Sequence, residues 1–167
     1  MNDNENSGGG ERAVLAGITR PLAILGGLMV LASALVVVIS VSVRGSGLGS
    51  IGGDFEIVQM ATALSVFCFL PYCQARRGNI VVDSFTNWLP ERARDLLDVL
   101  WDIVYAVMAG IISVQLLRGA MDTIKSNTVS MVLGLQTGWA IGAASVLAAI
   151  LCLVTLATAW TLIRRKP

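Results

Sequence analysis

The chain has 167 residues, of which 55% are hydrophobic and only 14% charged, with a net charge of +1 and no histidine. An average soluble domain carries about 25% charged residues, so this deficit and the long uncharged runs indicate a chain solvated by lipid. Without a basic surplus there is nothing to hold nucleic acid, and without histidine there is no bis-histidine haem, histidine zinc site or Ser-His-Asp triad.

Residues 1–12 are polar and glycine-rich, a composition that predicts disorder, and residues 1–19 read as a cytoplasmic tail. A single membrane domain then fills 20–167. Its first apolar run, 21–43, holds no charge and is flanked by Arg20 and Arg44. Roughly 20 helical residues cross the hydrocarbon core, so this run spans with some tilt. A signal peptide has an apolar region of only about 7–15 residues, so the run is read as a retained helix.

The connector 45–54, GSGLGSIGGD, contains a literal G-x-G-x-x-G at Gly47, Gly49 and Gly52. A dinucleotide fingerprint needs a strand before it and a parallel sheet around it. Here a membrane helix precedes it, so a hinge or a close backbone approach is the better reading.

The second run, 55–73, admits Glu56 and Gln59 at its start and Pro71 near its end. Glu56 falls at or just inside the membrane boundary, with Gln59 one turn on along roughly the same face. A carboxylate in lipid is costly and calls for an Arg, a backbone amide or a partner subunit to offset it. It reads either as an ion or proton site or as a polar anchor between helices or subunits. Cys68, Cys73 and Cys152 lie inside apolar runs, lack the C-x-x-C spacing, and behave as small hydrophobes.

In the segment 80–95, Ile80, Val81, Phe85, Trp88 and Leu89 provide an apolar face for the inner leaflet, with Trp88 anchored at headgroup depth. An ordinary polar connector is the alternative. Pro90 followed by Glu91 suits the start of a helix that runs into the third span. That span, 96–117, carries Asp98 and Asp102 one turn apart, with Arg94 one turn before Asp98. The pair reads as negative charge favoured by a helix N-terminus rather than as a cation site, since no third ligand of matching spacing is visible.

The fourth run, 135–163, has no charge, and Gly134, Gly138 and Gly142 place consecutive G-x-x-x-G steps on one face of its outer end. Ser145 and Ala149 continue the small-residue strip, which admits a close helix from this chain or from a partner.

The basic residues set the orientation. Nine fall in the N-terminal tail, the connector between the second and third runs and the C-terminus, and three (Arg44, Arg118 and Lys125) in the other two connectors. The positive-inside rule then predicts an all-α integral membrane protein with four transmembrane helices, both ends in the cytoplasm, and an interfacial amphipathic segment between helices 2 and 3.

Four spans with both ends inside resemble the small membrane subunit of tripartite ATP-independent periplasmic (TRAP) transporters, the DctQ-like proteins. Three stretches carry the likeness: SIGGDFEI at 50–57, RGNIVVD at 77–83, and the Leu89-Pro90 pair followed by Arg92, Arg94, Leu97 and Asp98. The second is similar to the family's G-H-I-x-V-D loop, with Asn79 where histidine is common. A hydrogen-bonding role therefore carries over to that position, and a protonatable one does not.

The resemblance implies a multi-pass protein of the bacterial inner membrane, not an enzyme and without a cofactor or metal. It would brace a large TRAP membrane subunit and help dock a periplasmic substrate-binding protein for sodium-driven uptake of an organic acid, with membrane lipids as its other partners. Asp54, Glu56 and Gln59 at the outer end, and Arg77, Asn79, Asp83, Asp98 and Asp102 at the inner end, are the candidate partner-contact or structural polar residues. Two other readings remain: a self-sufficient small four-helix transporter with Glu56 as its coupling carboxylate, and a membrane anchor for a redox enzyme, which the absence of histidine disfavours.

Overall fold

A computed structural model describes residues 3–47, 49, 52–76 and 91–164, with side chains described between residues 15 and 160. Arg77, Asn79, Asp83 and Trp88, and most of the expected interfacial segment, lie outside these residues. The described chain forms α1 (Asp3–Gly45), α2 (Asp54–Ala75), α3 (Glu91–Lys125) and α4 (Gly138–Arg164). Each contains a stretch long and apolar enough to cross a bilayer: Leu15–Gly45, Asp54–Ala75, Leu97–Lys125 and Gly138–Trp160. In lipid a helix is the economical solution, because it satisfies every backbone N–H and C=O within its own segment.

Two boundaries differ from the sequence expectation. α1 starts at Asp3 and takes in the polar stretch whose composition suggested disorder. Once a long span has nucleated a helix, each added residue gains a bond without a new nucleus. α4 begins at Gly138, so Gly134 is not on its face but in the preceding turn, where its φ of 64° is a left-handed conformation that glycine adopts freely. α3 does begin at Glu91 and runs unbroken through the third span.

The helices pack in the order α1–α2–α4–α3, so α2 and α4 occupy the middle and α1 and α3 the flanks. Close approach depends on missing side chains. At Gly26 a Cβ would stand 2.9 Å from the Cys68 Cβ and 3.2 Å from the Ser65 carbonyl oxygen, so α1 and α2 touch there backbone to backbone. At Gly138 a Cβ would meet Ile124 at 2.6 Å, and at Gly142 it would rest 3.9 Å from the Ala120 methyl. These two glycines therefore seat α3 of the same chain. Further along the α3–α4 seam, Ser113 and Ser145 each donate a hydroxyl hydrogen bond to the other's carbonyl oxygen, at 3.0 and 2.9 Å. Small residues and cross-helix hydroxyls replace the hydrophobic force that lipid cannot supply. Between α2 and α4, Leu64 packs on Ala140 and Ala144, with Met29, Phe67 and Leu116 around them.

The outward surface is apolar, with Leu31, Leu35 and Val38 of α1 more than 60% exposed. Three exposed tryptophans mark the limits of the hydrocarbon: Trp139 and Trp160 lie 21 residues apart on α4. At 1.5 Å per residue that is about 31 Å, the thickness of a bilayer core. Trp101 lies near the start of the third span, at the same end as Trp160, as an aromatic belt requires. The sequence reading singled out Trp88 and overlooked these three.

Candidate functional site

The α1–α2 and α3–α4 connections meet at one end of the molecule, where Asp54 and Glu56 find their partners. Gly53 makes the meeting possible. Its φ of 85° opens α2, and a Cβ at this position would lie 2.3 Å from Cγ of Leu133 in the other connection. α2 then begins with an acidic pair. Asp54 accepts a hydrogen bond from the Ser40 hydroxyl of α1 and another from its neighbour's amide, Phe55 N–H, at 2.8 Å. The Arg44 guanidinium stands 3.9 Å from the same carboxylate.

Glu56 faces the other way, into the α3–α4 connection. Its Oε1 accepts from the Val132 amide at 2.9 Å and its Oε2 from the Leu133 amide at 3.0 Å. The Ser130 hydroxyl and the Met131 amide of the same turn lie on the side of this carboxylate. The loop presents these donors because it is itself a tight turn. Ser130 donates its N–H to the Leu135 carbonyl at 2.9 Å, its hydroxyl accepts from Leu135 N–H at 3.2 Å, and Val129 pairs with Gln136. Successive amides converging on one anion form a nest, a concavity that favours negative charge. Of the three offsets the sequence left open for Glu56, the backbone amide is the one present. Its two oxygens are both engaged in holding the loop onto α2.

One turn below, exposed Gln59 lines a cleft of about 830 Å³ between α2 and α4. The cleft has Arg44, Glu56 and Ser130 at its mouth and Met60, Phe67 and Ala144 deeper in. Above it the loop tip is apolar and open: Met131 is fully exposed, and Val132 and Phe55 are 62% and 75% exposed.

The opposite end carries a second polar contact. Gln74, 2% exposed on α2, donates its amide to Asp102 on α3 at 3.0 Å. The helix-dipole reading of Asp98 and Asp102 does not hold. α3 starts at Glu91, which places them about two and three turns inside, and the dipole effect fades within the first turn. Asp102 instead joins two helices. Asp98 is partly exposed beside it along the helix, and Arg76 lies over the Tyr72 ring at 5.4 Å. Among the described residues no three His, Cys, Asp or Glu side chains come together as a metal site.

The sequence candidates Asp54, Glu56 and Gln59 are thus brought to one place, while Asp98 and Asp102 lie at the other end. Ser40, Gln74 and Ser130 were not anticipated, since a lone Ser or Gln in an apolar run carries no spacing signal.

Residues 33–165 match the family model described as "Tripartite ATP-independent periplasmic transporters, DctQ component". No curated protein and no solved structure matches the chain.

Proposed function

This chain belongs to the DctQ-component family of tripartite ATP-independent periplasmic transporters, and on that premise we propose that it braces a large transport subunit and helps dock a periplasmic substrate-binding protein. It is a multi-pass membrane protein and a transporter component rather than an enzyme. The observation that carries the bracing role is the engagement of Glu56. A coupling carboxylate must be free to take and release an ion or proton, whereas this one is committed to two amides of its own chain. The described surface also offers apolar helix faces and an exposed loop tip, which suit a neighbouring subunit and a docking protein respectively.

The proposed setting is the bacterial inner membrane, with the loop end facing the periplasm. The distribution of charge along the sequence supports it: three of the 12 basic residues, Arg44, Arg118 and Lys125, belong to the two loop-end connections, and the other nine to the N-terminal tail, the remaining connector and the C-terminus. In a cysteine-free background, Asn127→Cys is expected to react with an impermeant thiol reagent from the periplasmic side and Arg76→Cys only after the inner face is opened. Labelling of both from one side would refute the orientation. Sodium-driven uptake of an organic acid follows from the family resemblance and defines the functional test. Proteoliposomes holding this chain alone are expected to show no gradient-driven uptake, and uptake should require the large subunit and the binding protein as well.

Within that reconstituted system, Glu56→Gln keeps one acceptor oxygen but turns an NH₂ toward a backbone N–H. Uptake is expected to fall severalfold with its sodium dependence unchanged. Uptake by the chain alone, abolished by Glu56→Gln, would instead establish the self-sufficient transporter.

A further inference from the structure

We propose that the cleft between α2 and α4 holds one phospholipid of the adjoining leaflet, with its acyl chains along the cleft and its phosphate at Arg44. This inference rests on the chain spanning a membrane and not on its transport role, so the two can fail separately.

The shape of the cleft selects the occupant. Along α2 its lining runs from Asp54 to Phe67, 13 residues on, or about 20 Å of helix. Half of a bilayer with its headgroup region is about 20–22 Å. A transmembrane helix from a partner would need a groove through both leaflets, but the next positions inward on the same faces, Pro71 and Ala148, are fully buried. The cleft is one leaflet deep.

Polarity gives the same answer. The deep walls are apolar, formed by Met60, Ala63, Leu64, Phe67, Leu116 and Ala144. At the mouth, the side chain of Arg44 is 63% exposed, and its 3.9 Å approach to Asp54 is too long for a tight hydrogen-bonded pair. Its remaining N–H donors are free to face a phosphate, a geometry guanidinium groups favour. Trp139, two residues beyond Thr137 at the cleft mouth, marks headgroup depth on the same side. An apolar slot one leaflet deep, with the Arg44 guanidinium beside the Asp54 and Glu56 carboxylates at headgroup level, fits a zwitterionic phospholipid, its phosphate at Arg44 and its ammonium toward the acids. A volume of about 830 Å³ also lies within the roughly 300–1,000 Å³ of ordinary ligand pockets.

The test uses the full chain, purified with its natural partners in mild detergent, and a phosphatidylethanolamine carrying a photoreactive acyl chain. Cross-links are expected on peptides holding Ala63, Phe67 and Ala144. Ala63 is exposed within the cleft, so Ala63→Trp fills the slot without entering a helix contact, and should weaken labelling about tenfold. Ala32→Trp, on an exposed face of α1 away from the cleft, should leave labelling unchanged. Arg44→Gln should reduce labelling by the phospholipid but not by the matching photoreactive diacylglycerol, which lacks the phosphate. Labelling spread over the exposed faces of α1 and α3, labelling indifferent to Ala63→Trp, or a cleft occupied by a second polypeptide would each overturn the proposal. Equal loss of both lipids in Arg44→Gln would overturn the phosphate contact.

Discussion

Gly53→Val is expected to detach the α3–α4 connection from α2 and to lower the melting temperature of the detergent-solubilised protein. Two costs coincide at this position. The backbone sits at φ 85°, where an L side chain loses about 1–2 kcal/mol and a β-branched one fares worst. A Cβ there would also lie 2.3 Å from Cγ of Leu133 and 2.7 Å from both its δ carbons. Overpacking of this kind costs about 1–3 kcal/mol in a soluble core, and relief requires Leu133 to move. Leu133 cannot move freely, because its own amide is bound to Glu56. The two contacts therefore break together, and limited proteolysis should then cut within residues 126–137. Gly45→Val, at a glycine with nothing within 4 Å, is the control and should melt near the wild type. Equal melting of Gly53→Val and wild type would show that the loop does not rest on α2.

Gly26→Leu should separate α1 from α2. Its Cβ would stand 2.9 Å from the Cβ of Cys68, and the Ser65 carbonyl oxygen beyond it belongs to a backbone that cannot rotate away. A cost of about 1–3 kcal/mol or more follows from the overpacking. Lipid offers no hydrophobic penalty for the parted helices, so nothing pulls them back together. The adjoining Gly27 has open space around it, and Gly27→Leu should be close to neutral. The comparison is read from the yield of monodisperse protein and its melting temperature. If both variants behave alike, the α1–α2 contact at Gly26 is wrong.

The spans and the family were legible in the sequence because their physics is carried by long, one-sided signals. Twenty apolar residues in a row have one good solution in lipid, and the stretches at 50–57 and 77–83 gave the family before any coordinates. The partners of the polar residues were not legible, because they are made by topology. Glu56 finds the amide of Val132, 76 positions away, and a backbone amide leaves no letter in a sequence. Gln74 meets Asp102 for the same reason. Gly134 shows the opposite error. Its spacing from Gly138 fits a helix face, yet it serves as a left-handed turn residue four positions before the helix begins. Periodicity alone cannot tell a glycine that admits a neighbour from one that bends the chain.

What the loop end does for function follows from its rigidity. Ser40 and Arg44 of α1, Asp54 and Glu56 of α2, and the 130–133 turn form one connected set of contacts. Three elements are locked into a single platform, above an apolar body with large outward-facing side chains. That is the form expected of a brace: fixed at one end and greasy along its described sides.

The most direct test of that account is purification of the tagged chain, expressed from its native locus, in a mild detergent with mass spectrometry of everything that accompanies it. The account predicts a much larger polytopic membrane protein at a fixed stoichiometry, retained in Glu56→Gln. A monodisperse assembly containing only this chain would contradict it.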